Sequence, residues 1–149
     1  MGKQVKQGKA FEYACLQSFY NALKDSQEVV IEQNSALEVA REGYENTTLD
    51  MREKMDLGAN SATRVILRLE PQLTTPQNNV PLFLSIPEDA RGIAGDVRDV
   101  LCIRRQNQWE IGLSCKHNHA AVKHSRLSRT INFGDSWFSI PCSQNYFDE

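Results

Sequence analysis

Asp99, Ser114 and Lys116 are the residues whose types and spacing could do chemistry together. Asp99 opens an apolar run, Val100-Leu-Cys-Ile103. A second run, Trp109-Glu-Ile-Gly-Leu113, leads into Ser114-Cys115-Lys116. A carboxylate at the start of one strand and a lysine near the end of its antiparallel neighbour suit hydrolysis of a phosphodiester. The carboxylate would hold Mg²⁺, a hard cation that prefers oxygen ligands. The ion polarises the phosphate and lowers the pKa of water, while the lysine orients that water or balances charge. His117, Asn118, His119, Lys123, His124, Arg126 and Arg129 follow, and they would line a cationic approach path for DNA. The plain alternative is a solvated surface hairpin.

The pairing can be worked out from the sequence. Runs 97–105 and 108–116 are rich in Val, Ile, Leu, Cys and Trp and have strand length. A two-residue turn at Gln106-Asn107, with Asn107 tolerating positive φ, sets Arg105 opposite Gln108. Leu101 then faces Gly112, and Asp99 faces Ser114. Side chains alternate along a strand, so Asp99, Ser114 and Lys116 share one face. Val100, Cys102, Ile111, Leu113 and Cys115 take the other, which reads as core.

Asp99 with Ser114-Cys115-Lys116 resembles the PD-(D/E)xK nuclease core. Three longer runs resemble the HaeIII family of type II restriction endonucleases: Gly95-Asp-Val-Arg-Asp99, Trp109-Glu-Ile-Gly-Leu-Ser-Cys-Lys116-His-Asn-His119 and Ala121-Val-Lys-His-Ser-Arg-Leu127. Gly8-Lys-Ala-Phe-Glu12-Tyr-Ala14 and Trp137-Phe-Ser-Ile-Pro-Cys-Ser-Gln144 fit the same family. The resemblance spans most of the chain and is densest from 95 to 144. It implies Mg²⁺-dependent cleavage of double-stranded DNA at a short palindrome, GGCC for the family's namesake. It also implies a cognate DNA methyltransferase as functional partner in a restriction-modification system. Cutting both strands requires a two-fold homodimer or sequential nicking. Family members are longer, so the chain is expected to be the N-terminal portion of such an enzyme, incomplete at its C-terminus.

One position departs from the motif. Two residues before the lysine, where Asp or Glu is usual, stands Ser114, a poor substitute for a charged ligand. Three carboxylates are candidates to compensate. Glu110 shares the strand face but lies roughly 13 Å along it. Asp96 would have to reach in from the preceding loop. Glu12 falls beside the apolar stripe of the first helix and is the favoured metal ligand alongside Asp99. The alternative for Glu12 is a solvated helix carboxylate.

The chain has 149 residues, 40% hydrophobic and 24% charged, an ordinary balance for one globular domain. The net charge of −2 argues against a general DNA-coating protein, but its distribution is uneven. Residues 96–130 hold seven Lys/Arg against three acids, a local +4 that leaves −6 elsewhere. A basic patch on an acidic protein suits a localised anionic partner. No run approaches a membrane span and no signal peptide is visible. Four cysteines without paired spacing suggest reduced thiols in a cytoplasmic protein. Cys115, His117, His119 and His124 match no common structural zinc spacing.

The positioning elements follow from periodicity. Phe11, Cys15, Phe19 and Leu23 recur every four residues, which predicts a helix over 4–24. Residues 28–31 form a short apolar run of strand type. A second helix is expected over 35–45, capped by Asn34 or Ser35. A third begins at Thr48, is interrupted near Gly58, resumes over 62–69 and stops at Pro71. Residues 72–79 read as a polar loop, 81–86 as a strand, and 120–128 as a basic helix. The expected fold is α/β, a mixed sheet flanked by helices, with a restriction endonuclease-like core. Beside the nuclease reading stand two others: a truncated or inactive nuclease-derived DNA-binding protein, and a repair or junction nuclease.

Overall fold

The first helix, α1 (Lys3–Leu23), buries the stripe its spacing predicts. Ala10, Phe11, Ala14, Cys15, Leu16, Phe19 and Leu23 are all buried. The computed structural model that shows this describes residues 3–76, 80–88 and 98–116. Helix α1 lies against α2 (Ser35–Glu45) and α3 (Leu49–Leu69), and it also reaches three strands of the sheet. It is therefore the element through which the helical layer meets the sheet.

Caps set the starts of the other helices. The Asn34 side chain accepts from Leu37 N at 2.8 Å and donates to Ile86 O at 2.9 Å, so one residue begins α2 and ties it to the sheet. Thr48 caps α3. Helix α3 runs unbroken through Gly58, where the sequence suggested an interruption. One helical glycine costs only about 1 kcal/mol, and tertiary packing against the Phe11 ring of α1 outweighs it. Pro71 ends α3 as expected but also opens a single turn, α4 (Pro71–Thr74), inside the expected loop. Proline suits a first helical turn, and burial of Leu73 holds the turn in place.

Four strands form one mixed sheet in the order β1 (Val29–Ile31), β2 (Leu82–Ser85), β3 (Val100–Arg104), β4 (Trp109–Leu113). Strands β1 and β2 are parallel, with the α2–α4 segment as their crossover. The other pairs are antiparallel. The β3–β4 register is the expected one, with Leu101 opposite Gly112 and Val100 opposite Leu113. The turn differs. Strand β3 stops at Arg104, a 3-10 turn covers Arg105–Asn107, and Gln108 takes the left-handed conformation (φ 51°) expected of Asn107. Arg105 is drawn out of the ladder by an ion pair with Glu32 and stacks 4.4 Å over the Phe83 ring. Val100 and Cys102 enter the core, with Ile111, Leu113 and Cys115 packed against it.

Arg104 shares their face and is wholly buried. Its guanidinium donates to Val80 O, Gln72 O, Thr75 O and Gln27 Oε1 at 2.7–3.2 Å. The charge thus serves as a knot joining β3 to the segments that cross beneath it. No helix among the described residues is long and apolar enough to cross a membrane.

Gly112 is required by close approach. A Cβ there would lie 2.9 Å from Arg98 Cβ and would overlap the rest of its stem. Gly112→Ala should cost about 1–2 kcal/mol in urea unfolding. Arg98→Ala in the same chain should recover most of that loss, which a double-mutant cycle measures.

Candidate active site

The hairpin brings its predicted residues together at one end. Asp99 N donates to Leu113 O at 2.8 Å, which extends the ladder one residue beyond β3 and fixes the Asp99 side chain. Asp99 Oδ2 accepts from Lys116 Nζ at 3.0 Å, from Cys115 N at 2.6 Å and from Ser114 Oγ at 3.2 Å. The slot where the motif has an acid is thus filled by a hydroxyl donating to the other acid. Ser114 adds a donor where a second carboxylate would have added repulsion.

The candidate acid on helix α1 is Glu12. Glu12 is buried, and its Oε2 accepts from Lys9 Nζ at 3.1 Å. Cys15 sits one turn after Glu12, so both project from the same side of α1. The Cys15 thiol neighbours that of Cys115, which packs against the core beside this side of the helix. That neighbouring thiol, followed by burial, pushes the Cys115 thiol well above its ordinary range, and the charges of Asp99 and Glu12 add to the effect. Both thiols are free.

Burial pushes the Glu12 carboxyl up to about 7 from an ordinary 4.5. The ammonium of Lys9 opposes this, the negative charge of Asp99 adds to it, and Lys116 subtracts. Glu12 thus lies within the electrostatic field of both hairpin residues. The pKa is higher folded than unfolded, so the folded protein binds the extra proton between these values. Stability contributed by the neutral acid is then lost as pH rises from 4.5 towards 7, and the full cost stands above 7. Glu12→Gln should therefore stabilise the protein by roughly 1–3 kcal/mol at pH 8, with the gain vanishing below about pH 4.5. Urea unfolding of both proteins at pH 4 and pH 8, without divalent ions, checks this.

The other two candidates are placed differently. Glu110 forms an ion pair with Arg98. Asp96 lies outside the described residues, as do His117, Asn118, His119, Lys123, His124, Arg126, Arg129, Cys142 and the expected helix over 120–128. Among the described residues no group of three or more His, Cys, Asp and Glu is gathered as a metal cluster. The two carboxylates whose charges act on one another here are Asp99 and Glu12. Such a set suits a hard divalent ion that keeps several waters. Desolvation and like charge both burden Glu12, and a cation would relieve both.

Sequence reasoning missed Lys9 and the Cys15–Cys115 contact. Lys9 stood three residues from Glu12 in the run Gly8-Lys-Ala-Phe-Glu12, and that i,i+3 spacing was the available signal. The thiol contact carried no local signal.

No solved structure matches the chain. The family model for the HaeIII restriction endonuclease matches residues 8–149. The type II restriction enzyme HaeIII of Haemophilus aegyptius is 40% identical over 146 residues. The matched region is 98% of this chain and 45% of that relative, so the chain spans less than half the length of the curated protein it matches. The match covers both halves of the site, Glu12 on α1 and Asp99 with Lys116 on the hairpin, and the chain belongs to the HaeIII restriction endonuclease family.

Proposed function

We propose that the chain carries the cleavage centre of a type II restriction endonuclease that cuts double-stranded DNA at a short palindrome. One observation supports this most: Asp99 is hydrogen-bonded to Lys116 while a buried Glu12 lies in the field of both, in a chain of this family. Asp99 and Glu12 would hold Mg²⁺, and the ion would supply positive charge that polarises the phosphate and acidifies water. Lys116 gives its ammonium to the attacking water or to the charge that builds on the phosphate oxygens. Ser114 and the Cys115 amide keep Asp99 in one rotamer.

His117, Asn118 and His119 follow Lys116 in the sequence and would contact DNA near the cut. Lys123, Arg126 and Arg129 would bind phosphates along the backbone. GGCC is the proposed site, from family membership. A two-fold homodimer would cut both strands, and a cognate methyltransferase would protect the host's sites.

The test is a digest of a plasmid carrying several GGCC sites, with and without Mg²⁺. Discrete Mg²⁺-dependent fragments with ends mapping to GGCC are expected. Ser114 favours a second reading, an inactive DNA-binding protein. That reading predicts an intact plasmid and salt-dependent DNA binding from a chain shown by circular dichroism to be folded.

A further inference from the structure

The two chain segments that meet at Asp99 both lie just outside the sheet. Asp99 precedes β3, and Ser114, Cys115 and Lys116 follow β4. Three donors to Asp99 Oδ2 come from those last residues, so each segment steadies the other. Strand ends open locally at little cost in free energy. A centre held in this way alone would part Asp99 from Lys116 whenever the end of the ladder opened.

Arg98 ties this end back to the body of β4. Residues 110, 112 and 114 alternate onto one face of the sheet, the face on which Ser114 Oγ reaches Asp99. The aliphatic stem of Arg98 lies over Gly112, in the space that a Cβ there would need. The guanidinium goes on to pair with Glu110. The side chain therefore runs from the residue before Asp99 back along β4 and engages two residues inside the strand. An ion pair between partly exposed groups adds little to global stability. Packing of the stem on the Gly112 backbone adds to it, and both contacts act where the ladder would otherwise open first.

We propose that Arg98 and Glu110 are positioning residues, whose clasp over Gly112 holds Asp99 against Lys116. The inference rests on the assignment of Asp99 as an ion ligand. Glu110, a candidate for the vacant acidic slot by sequence, then serves the centre through Arg98 rather than through the ion.

Amide exchange read by NMR without divalent ion tests the clasp. The Asp99 amide donates to Leu113 O and the Cys115 amide to Asp99 Oδ2, so the two report the backbone and the carboxylate of Asp99. Arg98→Ala and Glu110→Ala should each speed exchange at both amides by about tenfold. The Leu82 amide, bonded to Glu28 O elsewhere in the sheet, should keep its rate. Arg98→Lys retains a stem and a charge and should exchange nearly as the wild type does. In single-turnover cleavage of a GGCC duplex with Mg²⁺, Arg98→Ala and Glu110→Ala should both be slower by about tenfold. The salt dependence of duplex binding in Ca²⁺ should stay the same in both. Unchanged exchange at Asp99 and Cys115 in Arg98→Ala would overturn the clasp. Slower cutting in Arg98→Ala alone, with a log–log salt slope shallower by about one unit, would also overturn it and make Arg98 a phosphate contact. Faster exchange with cutting at the wild-type rate would overturn the positioning role. A folded wild type that leaves GGCC duplexes intact would remove the cleavage reading itself, and the exchange comparison would still decide the clasp.

Discussion

Asp99→Ala should lower Mg²⁺-dependent cleavage of duplex DNA by at least about a thousandfold. Asp99 Oδ2 is the point where three donors converge, from Lys116, Ser114 and the Cys115 amide. Removing it takes away one of the two proposed ion ligands and the carboxylate that pairs with the Lys116 ammonium among the described residues. Lys116→Ala should produce a loss of similar size for a different reason, because Asp99 and Glu12 remain to bind the ion. The two variants are therefore separable. Asp99→Ala should lose Mn²⁺ affinity, and Lys116→Ala should keep it. Both should fold, since the two side chains lie at the open end of the hairpin and the core faces the other way. Single-turnover cleavage, Mn²⁺ titration and circular dichroism together decide the matter. Cutting at the wild-type rate by either variant would remove that residue from the cleavage centre.

Arg104→Met should destabilise the fold by about 3–5 kcal/mol, the largest single loss expected outside the apolar core. The wild-type guanidinium is wholly buried, and among the described residues its acceptors are three main-chain carbonyls and the Gln27 amide oxygen. Its Nε has no hydrogen-bond partner. Burial pulls its pKa below the ordinary arginine value. A charge buried on such terms is expensive, yet removing it leaves Gln72, Thr75 and Val80 with carbonyls that have lost their donor. Lysine should not rescue the loss, because one ammonium cannot match the spread of a planar fork. Urea unfolding of Arg104→Met and Arg104→Lys gives the comparison. A loss below about 1 kcal/mol in Arg104→Met would show that these carbonyls find other donors.

The contrast between Asp99 and Arg104 shows what could be read in the sequence. Asp99, Ser114 and Lys116 lie on two strands joined by a short turn, so period-two alternation and one register place them together. The register survived an error in the turn because lengthening the loop symmetrically at both ends leaves the pairs unchanged. The α1 stripe was equally plain, and it brought Glu12 into consideration. Arg104 was not legible in the same way. It sits in an apolar run at a core position, where a charged residue reads as a strand end. Its burial depends on four oxygens from Gln27, Gln72, Thr75 and Val80, and only the tertiary fold gathers them. Continuity of α3 through Gly58 and the turn opened by Pro71 have the same origin, since packing against Phe11 and burial of Leu73 outweighed local propensity. The basic run after Lys116 was legible as a charge pattern, and its proposed contacts with DNA rest on chemistry and family membership.

The thiol contact between Cys15 and Cys115 bears on the order in which the proposed centre is assembled. The β3–β4 hairpin joins neighbours in the chain and needs only a short loop to close, whereas docking α1 on it joins distant segments. A molecule with the hairpin formed and α1 undocked holds Asp99 and Lys116 but lacks Glu12. The pair of carboxylates exists only after the slower, long-range step. Partly folded chains would therefore carry an incomplete form of the proposed centre.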